Sequence, residues 1–130
     1  MASQGNKIRI LVVDNEPDIT LTLQAGLEAG GFDVDAFTDP KLALSSFKPG
    51  LYNLVLIDVM MPEMDGFELY ERLKELDPDV KVCFLTASEM YHQKIRKVEH
   101  YALNKDLFLQ KPISTSDLIR EINKKINSTQ

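Results

Sequence analysis

The sequence predicts an α/β domain in which one parallel sheet is covered by helices on both faces. Short apolar segments alternate with amphipathic segments along the whole chain, which gives five β-α units. The first and third apolar segments are nearly uninterrupted, as is typical of strands buried on both faces. Because crossovers between parallel strands are right-handed, such units fold into one sheet between two helical layers. A length of 130 residues allows one domain of this kind.

Two β-α units occupy the first part of the chain. Residues 8–13 form the first strand, and residues 32–37, which alternate apolar and acidic side chains, form a half-exposed strand near the sheet edge. The helix between them has an apolar stripe at four-residue spacing and ends at two glycines: Ile19, Leu23, Leu27, Gly30 and Gly31. Asp39 as N-cap and Pro40 as first residue begin the second helix. Its inward side chains are predicted to be Leu42, Ala43 and Phe47.

Three further units complete the predicted fold. Residues 54–57, 80–85 and 107–109 form the third, fourth and fifth strands. An apolar stripe at three-residue spacing predicts the third helix: Phe67, Tyr70, Leu73 and Leu76. A weaker stripe predicts a fourth helix: Ile95, Val98 and Ala102. Ser114 or Ser116 begins the final helix, whose apolar side chains are Leu118, Ile119, Ile122 and Ile126. The domain is predicted to span residues 7–126, with a flexible leader at 1–6 and a polar tail at 127–130.

Composition restricts the classes of partner. A net charge of −5 disfavours direct binding of nucleic acid, because phosphate-rich partners need a basic face. No apolar stretch approaches the roughly 20 residues of a membrane-spanning helix, so no membrane insertion is expected. The one cysteine, Cys83, lies in an apolar strand and is predicted to be buried rather than reactive. A chain without an intrachain disulfide fits a cytoplasmic location.

Polar residues follow four of the predicted strands at their carboxyl ends. They are Asp14, Asn15 and Glu16 after the first strand, Asp58 after the third, Thr86 after the fourth and Lys111 after the fifth. Because the carboxyl ends of parallel strands share one edge of the sheet, we expect these side chains to converge. Two carboxylates and an amide oxygen suit Mg²⁺. A hydroxyl and an ammonium group would bind the oxygens of a phosphoryl group while a carboxylate attacks it.

Each of these residues also has a structural interpretation when it is taken alone. Asp58 could cap the next helix, Thr86 could be a strand-forming residue, and Lys111 could be a solvated loop lysine. Asp65 and Gly66 are predicted to serve as turn and N-cap residues rather than in catalysis. The presence of all four strand-end groups together favours a functional site.

With these residues in this order, the chain resembles a response-regulator receiver domain over residues 7–126. The matching motifs are Ile-Leu-Val-Val-Asp-Asn-Glu-Pro at 10–17, Asp-Val-Met-Met-Pro-Glu-Met-Asp-Gly at 58–66, Leu-Thr-Ala at 85–87 and Lys-Pro at 111–112. The resemblance implies a flavodoxin-like three-layer sandwich, with a five-stranded parallel sheet in the order 2-1-3-4-5 and five helices. It also implies a phosphorylation-switched signalling module of a two-component or phosphorelay system, which catalyses its own phosphorylation and dephosphorylation without being a classical enzyme.

The resemblance assigns a role to each candidate site residue. Asp58 would accept a phosphoryl group from a phosphohistidine on a sensor histidine kinase or a histidine phosphotransfer protein. The Mg²⁺ ligands would be Asp14, Asn15, Asp58 and the backbone carbonyl of Met60. Thr86 and Lys111 would bind the phosphoryl group, and Thr86 with the inward-turning ring of Phe108 would form the switch. An output protein would bind the face made by the fourth predicted helix, the fifth strand and the final helix.

Two residues depart from the usual family pattern. The family usually has a second acid at the position of Asn15, and an amide oxygen can bind Mg²⁺ but brings no net charge, so we expect weaker Mg²⁺ binding. Phe108 lacks the hydroxyl that many relatives carry. Residues 99–106 are also bulkier than the small turn that is common in the family, which leaves the output partner open.

Three alternative functions differ in the residues that they require. The substitution at Asn15 is compatible with a degenerate receiver that binds a partner protein without phosphorylation. A Mg²⁺-dependent phosphohydrolase would usually have a second acid two residues after its nucleophile, where this chain has Met60. A flavin-binding protein would need a hydroxyl-rich or glycine-rich first loop, and the acidic residues 14–16 would repel its phosphate.

Overall fold

The computed structural model describes residues 7–87 and 108–127, which form a five-stranded parallel sheet with helices on both faces. The elements in chain order are β1 (Arg9–Val13), α1 (Pro17–Ala29), β2 (Asp33–Phe37), α2 (Pro40–Ser46), β3 (Leu54–Asp58), α3 (Gly66–Leu76), β4 (Val82–Ala87), β5 (Phe108–Lys111) and α4 (Thr115–Ile126). The strand order is β2-β1-β3-β4-β5, and all neighbouring pairs are parallel. The predicted fold class and strand order are confirmed.

Side-chain alternation along the strands builds a separate apolar core on each face of the sheet. One core packs under α2 and α3 and includes Val13, Ile57 and Phe67. The other packs under α1 and α4. It includes Val12 and Leu56, which directly precede Val13 and Ile57 in their strands and therefore point to the opposite face. Strands β1 and β3 are buried on both faces because they lie inside the sheet, which accounts for their nearly uninterrupted apolar sequences.

Three helices begin at the caps that the sequence predicted. The Asp39 carboxylate accepts a hydrogen bond from the backbone of Lys41 at the start of α2. Asp65 and Glu68 form a reciprocal capping box at the start of α3. Ser114, one of the two candidates, caps α4 through the backbone N–H of Asp117.

Two apolar side chains that were predicted to face inward are exposed. Leu76 is 48% exposed, because each three-residue step along a helix falls about 60° short of a full turn, and three such steps from Phe67 reach the opposite face. Leu69, four residues before the buried Leu73, takes the inward position instead. Leu42 is 53% exposed because the adjacent Ala43 defines the buried side of the short helix α2.

The boundaries also differ from prediction in the second half of the chain. Strand β4 begins at Val82 and extends through Ala87, so Thr86 lies within the strand instead of after it. The described ranges contain four helices where five were predicted, and the predicted fourth helix at residues 95–102 lies outside them. Within the described ranges, no helix has the length and apolar character needed to cross a membrane.

Candidate functional site

The sheet places the predicted site residues at one edge. Asp14 directly follows β1, Asp58 ends β3, Thr86 lies near the end of β4 and Lys111 ends β5. These four strands are consecutive neighbours in the sheet. Asp14, Asp58 and Thr86 are buried, and the Lys111 side chain is 17% exposed. The strand-end groups therefore share one partly enclosed edge, as expected for ligand sites in open α/β sheets.

Lys111 joins three acidic side chains of this edge. Its Nζ donates a hydrogen bond to Asp14 Oδ2 at 2.7 Å and lies 3.6 Å from Asp58 Oδ1. Glu16 Oε1 is 3.9 Å from the same nitrogen. Burial disfavours the charge, but the hydrogen bond to Asp14 and the attraction of the acids together raise the pKa of the Lys111 ammonium. Lys111 is therefore a cation whose charge is fixed by the carboxylates around it.

Asp58 is a buried carboxyl group whose ionisation is costly. Burial and then the negative charge of Asp14 raise its pKa from 3.8 to about 6, against the opposing effects of Lys111 and of a backbone hydrogen bond. That hydrogen bond is donated by the Met60 N–H to Asp58 Oδ1 at 3.4 Å. A raised pKa at a buried carboxyl beside a cation is a feature of functional sites.

Asn15 contacts two of the predicted metal ligands. In the amide orientation that satisfies its surroundings, its Nδ2 donates hydrogen bonds to Asp58 Oδ2 at 3.1 Å and to the Met60 carbonyl oxygen at 3.2 Å. An Asp58 carboxylate oxygen and the Met60 carbonyl oxygen thus both contact the Asn15 amide nitrogen. Two oxygen atoms that lie this close together are compatible with a small cation that prefers oxygen ligands.

The oxygen donors at this edge fit Mg²⁺. The described residues contain no group of three or more His, Cys, Asp or Glu side chains placed to hold a metal ion. The oxygen atoms that could bind a metal ion belong to two carboxylates, Asp14 and Asp58, and to the Met60 carbonyl, and the Asn15 amide oxygen could join them if the amide turned. Mg²⁺ typically keeps several waters and binds one or two protein carboxylates, so this small donor set is compatible with it.

Two further residues contact the backbone that carries the site side chains. Gly66, at the start of α3, donates its N–H to the Val59 carbonyl at 2.9 Å, and a Cβ there would lie 2.6 Å from the Asp58 carbonyl oxygen. Thr20 is buried in α1, and its single hydroxyl proton is shared between the carbonyl oxygens of Asp14 at 2.6 Å and Glu16 at 2.9 Å. Sequence reasoning assigned Gly66 to a turn and missed Thr20, which carries no sequence signal beyond its place in the first turns of a helix.

Phe108 is packed inward in this structure. Its ring is stacked 5.0 Å from Phe84 across the β4–β5 pair and lies 5.9 Å from Phe67 on α3. The buried ring belongs to the core under α2 and α3. Thr86, the other predicted switch residue, is buried in β4 opposite Gln110 of β5. The outward position of the Phe108 ring and its movement on activation stay predictions.

Comparison with known proteins gives one consistent family. Residues 10–123 match the profile of the response regulator receiver domain. The response regulator receiver protein CpdR of Brucella abortus is 34% identical over 89% of this chain and 94% of its own length. The transcriptional regulatory protein PcoR of Escherichia coli is 32% identical over 88% of this chain. The chain spans about half the length of PcoR and of the other transcriptional regulators of this group, such as DltR of Streptococcus agalactiae.

Solved structures support the same comparison. The non-phosphorylated HemR receiver domain from Leptospira biflexa superimposes with a TM-score of 0.80 at 25% identity, covering 95% of this chain and 98% of that one. The response regulator TrrA from Thermotoga maritima, solved in complex with Mg²⁺–BeF, superimposes with a TM-score of 0.75 at 29% identity, covering 90% and 97%.

Proposed function

The chain belongs to the response regulator receiver domain family, a group of phosphorylation-switched modules of two-component signalling, and we propose that Asp58 is its phosphoryl acceptor. The observation that carries the proposal is the environment of Asp58, which is buried at the sheet edge. Lys111 Nζ lies 3.6 Å from its Oδ1, and the Asn15 amide nitrogen lies 3.1 Å from its Oδ2. A carboxylate in this setting has a cation and a metal-compatible oxygen cluster beside it. The alternative of a phosphorylation-independent binding module is not favoured, because the acid and the lysine are both present.

The reaction is a displacement at phosphorus. One oxygen of the Asp58 carboxylate attacks the phosphoryl group of a phosphohistidine, the P–N bond breaks, and the imidazole of the donor leaves with the electron pair. Lys111 and the Thr86 hydroxyl bind the oxygens of the transferred phosphoryl group. To do so, Lys111 must lengthen its hydrogen bond to Asp14. Hydrolysis of the resulting acyl phosphate restores the carboxylate.

Receiver domains generally bind Mg²⁺, and four groups of this chain would hold it: Asp14, Asn15, Asp58 and the Met60 carbonyl. When bound, the ion supplies positive charge to the phosphoryl oxygens. Asp14 contributes a carboxylate whose Oδ2 is held by Lys111 and whose Oδ1 accepts the Glu16 N–H at 3.0 Å. Asp14 is therefore oriented before any ligand binds.

We further propose the partners on the basis of family membership. Receiver domains interact with histidine kinases or phosphotransfer proteins, and the proposed donor here is a sensor histidine kinase or a histidine phosphotransfer protein in the cytoplasm. The proposed output surface comprises β5, α4 and the predicted fourth helix. A net charge of −5 makes direct nucleic-acid binding by this domain unfavourable.

Intact-mass spectrometry after incubation with a small phosphodonor tests the proposal. We expect a gain of one phosphoryl group that requires Mg²⁺ and is lost in Asp58→Asn. Asp79→Asn, which removes an exposed carboxylate away from the site, is the matched control and should be phosphorylated like the parent. An adduct that persists in Asp58→Asn, or none in the parent protein with a phosphohistidine donor, would contradict the assignment.

A further inference from the structure

Asn15 supplies the one uncharged side chain of the proposed ligand set, and with its amide oriented to satisfy its surroundings it acts as a hydrogen-bond donor. Its Nδ2 lies 3.1 Å from Asp58 Oδ2 and 3.2 Å from the Met60 carbonyl oxygen. An aspartate or glutamate at this position has no N–H and, when ionised, only accepts hydrogen bonds. These two hydrogen bonds therefore require the side-chain amide of Asn15.

We propose that Asn15 is a positioning residue that holds the metal-free site closed, with its amide nitrogen contacting the two oxygens that Mg²⁺ would otherwise contact. For its own oxygen to serve as a metal ligand, Asn15 must turn its amide so that Oδ1 replaces Nδ2, which breaks both hydrogen bonds. The inference rests on the proposed function for the identity of the metal ligands. The hydrogen bonds are independent of it.

The charges around Asp58 explain why such a donor matters. Asp14 and Asp58 both contact Lys111, so a single ammonium group is shared by two buried carboxylates. On Asp58, Oδ1 faces Lys111 and the Met60 N–H, whereas Oδ2 faces the Asn15 amide. A hydrogen bond to a charged group is among the stronger kinds, and a buried carboxylate oxygen without a donor is unfavourable. The amide thus supplies a hydrogen-bond donor to the second oxygen of the Asp58 carboxylate.

The inference predicts opposite effects of one substitution on two equilibria. Asn15→Asp removes the donor and adds a negative charge beside Asp14 and Asp58, so the metal-free fold should be less stable. The same charge should bind a divalent cation more tightly, because Coulomb attraction to the ion increases. Asn15→Ala removes the donor without adding charge, so it isolates the contribution of the amide to the metal-free fold.

Urea denaturation in EDTA and Mg²⁺ titration by calorimetry test this. Asn15→Ala should increase the unfolding equilibrium constant by about tenfold, as expected for loss of a hydrogen bond to a carboxylate. In an Asp58→Asn background the same change should have a clearly smaller effect, because the charged acceptor is gone. Asn15→Asp should also destabilise the metal-free protein and bind Mg²⁺ at least about tenfold more tightly. The control is Asn123→Ala, at an exposed position on α4, which should lower neither stability nor Mg²⁺ affinity.

Three results would overturn the inference. One is an Asn15→Ala protein that is as stable as the parent in EDTA. Another is an equal loss with and without the Asp58 carboxylate. The third is an Asn15→Asp protein whose Mg²⁺ affinity is unchanged. None of these measurements uses a phosphodonor, so Asp58 can prove to be the acceptor while the inference fails, or the inference can hold while phosphorylation fails.

Discussion

Replacement of Asp58 by asparagine is expected to stabilise the metal-free protein at neutral pH. The residue is 5% exposed, and its pKa is raised from 3.8 to about 6 by burial and by the charge of Asp14. The folded protein therefore carries an ionised group that is less favourable than in the unfolded chain. Asparagine keeps nearly the same shape and removes the charge.

The pKa shift sets the size of the effect. A shift from 3.8 to about 6 is roughly two units, and each unit corresponds to about 1.4 kcal/mol, so the upper bound is about 3 kcal/mol. The amide of Asn15 donates to the charged form of Asp58 and works against this cost. We therefore expect Asp58→Asn to raise the free energy of unfolding by about 1–2 kcal/mol.

The pH dependence has a defined sign. Because the folded-state pKa of Asp58 lies above the unfolded value, the folded protein binds a proton more tightly than the unfolded chain does. The parent protein thus regains stability as the pH falls through about 6, and the difference from Asp58→Asn vanishes below about 4. Above about pH 7, the difference in free energy of unfolding between Asp58→Asn and the parent reaches its full value.

Urea denaturation in EDTA, followed by far-UV circular dichroism because the chain has no tryptophan, measures this difference. Asp79→Asn is the control: it removes an exposed charge and should change stability little. Mg²⁺ should stabilise the parent more than the variant and reduce the difference, because it binds the folded acidic site. A variant that is less stable than the parent in EDTA at neutral pH, or a difference that does not depend on pH, would refute the reasoning.

Two other predictions concern the surroundings of the site, and a third concerns a cysteine in the apolar core. Gly66→Ala should lower the free energy of unfolding by about 1–3 kcal/mol and slow phosphorylation, because its Cβ would lie 2.6 Å from the Asp58 carbonyl; equal urea midpoints and rates would contradict it. Thr20→Val should destabilise by about 1 kcal/mol through loss of the hydrogen bonds to Asp14 and Glu16, whereas Thr20→Ser should retain most of the stability; equal denaturation midpoints for both variants would argue against it. Cys83, whose pKa burial raises to about 12, should react with a thiol reagent at about pH 8 in urea but not in the folded protein, and rapid labelling without urea would count against this.

The sheet and the strand-end site could be predicted from the sequence because both follow from the order of apolar and polar residues along the chain. Nearly uninterrupted apolar sequences identify β1 and β3 as internal strands, and parallel strands must bring their carboxyl ends to one edge of the sheet. Asp14, Asp58 and Lys111 accordingly meet in the structure.

Features that depend on angle or side-chain direction were not predictable in this way. The three-residue stripe of α3 drifts around the helix, so Leu76 is exposed and Leu69 is buried instead. The orientation of the Asn15 amide follows from which atoms surround it, since oxygen and nitrogen of the amide have nearly the same shape. Thr20 acts on the backbone of Asp14, a contact that is visible only after α1 is placed.

Locating the phosphoryl group on the chain tests the central claim most directly. After incubation with a phosphodonor and Mg²⁺, borohydride reduction converts an aspartyl phosphate to homoserine, and peptide mass spectrometry identifies the position. We predict homoserine at position 58 and none at position 14. Reduction at Asp14 or elsewhere, or no reduced residue in a protein that has gained a phosphoryl group, would contradict the assignment of Asp58 as the acceptor.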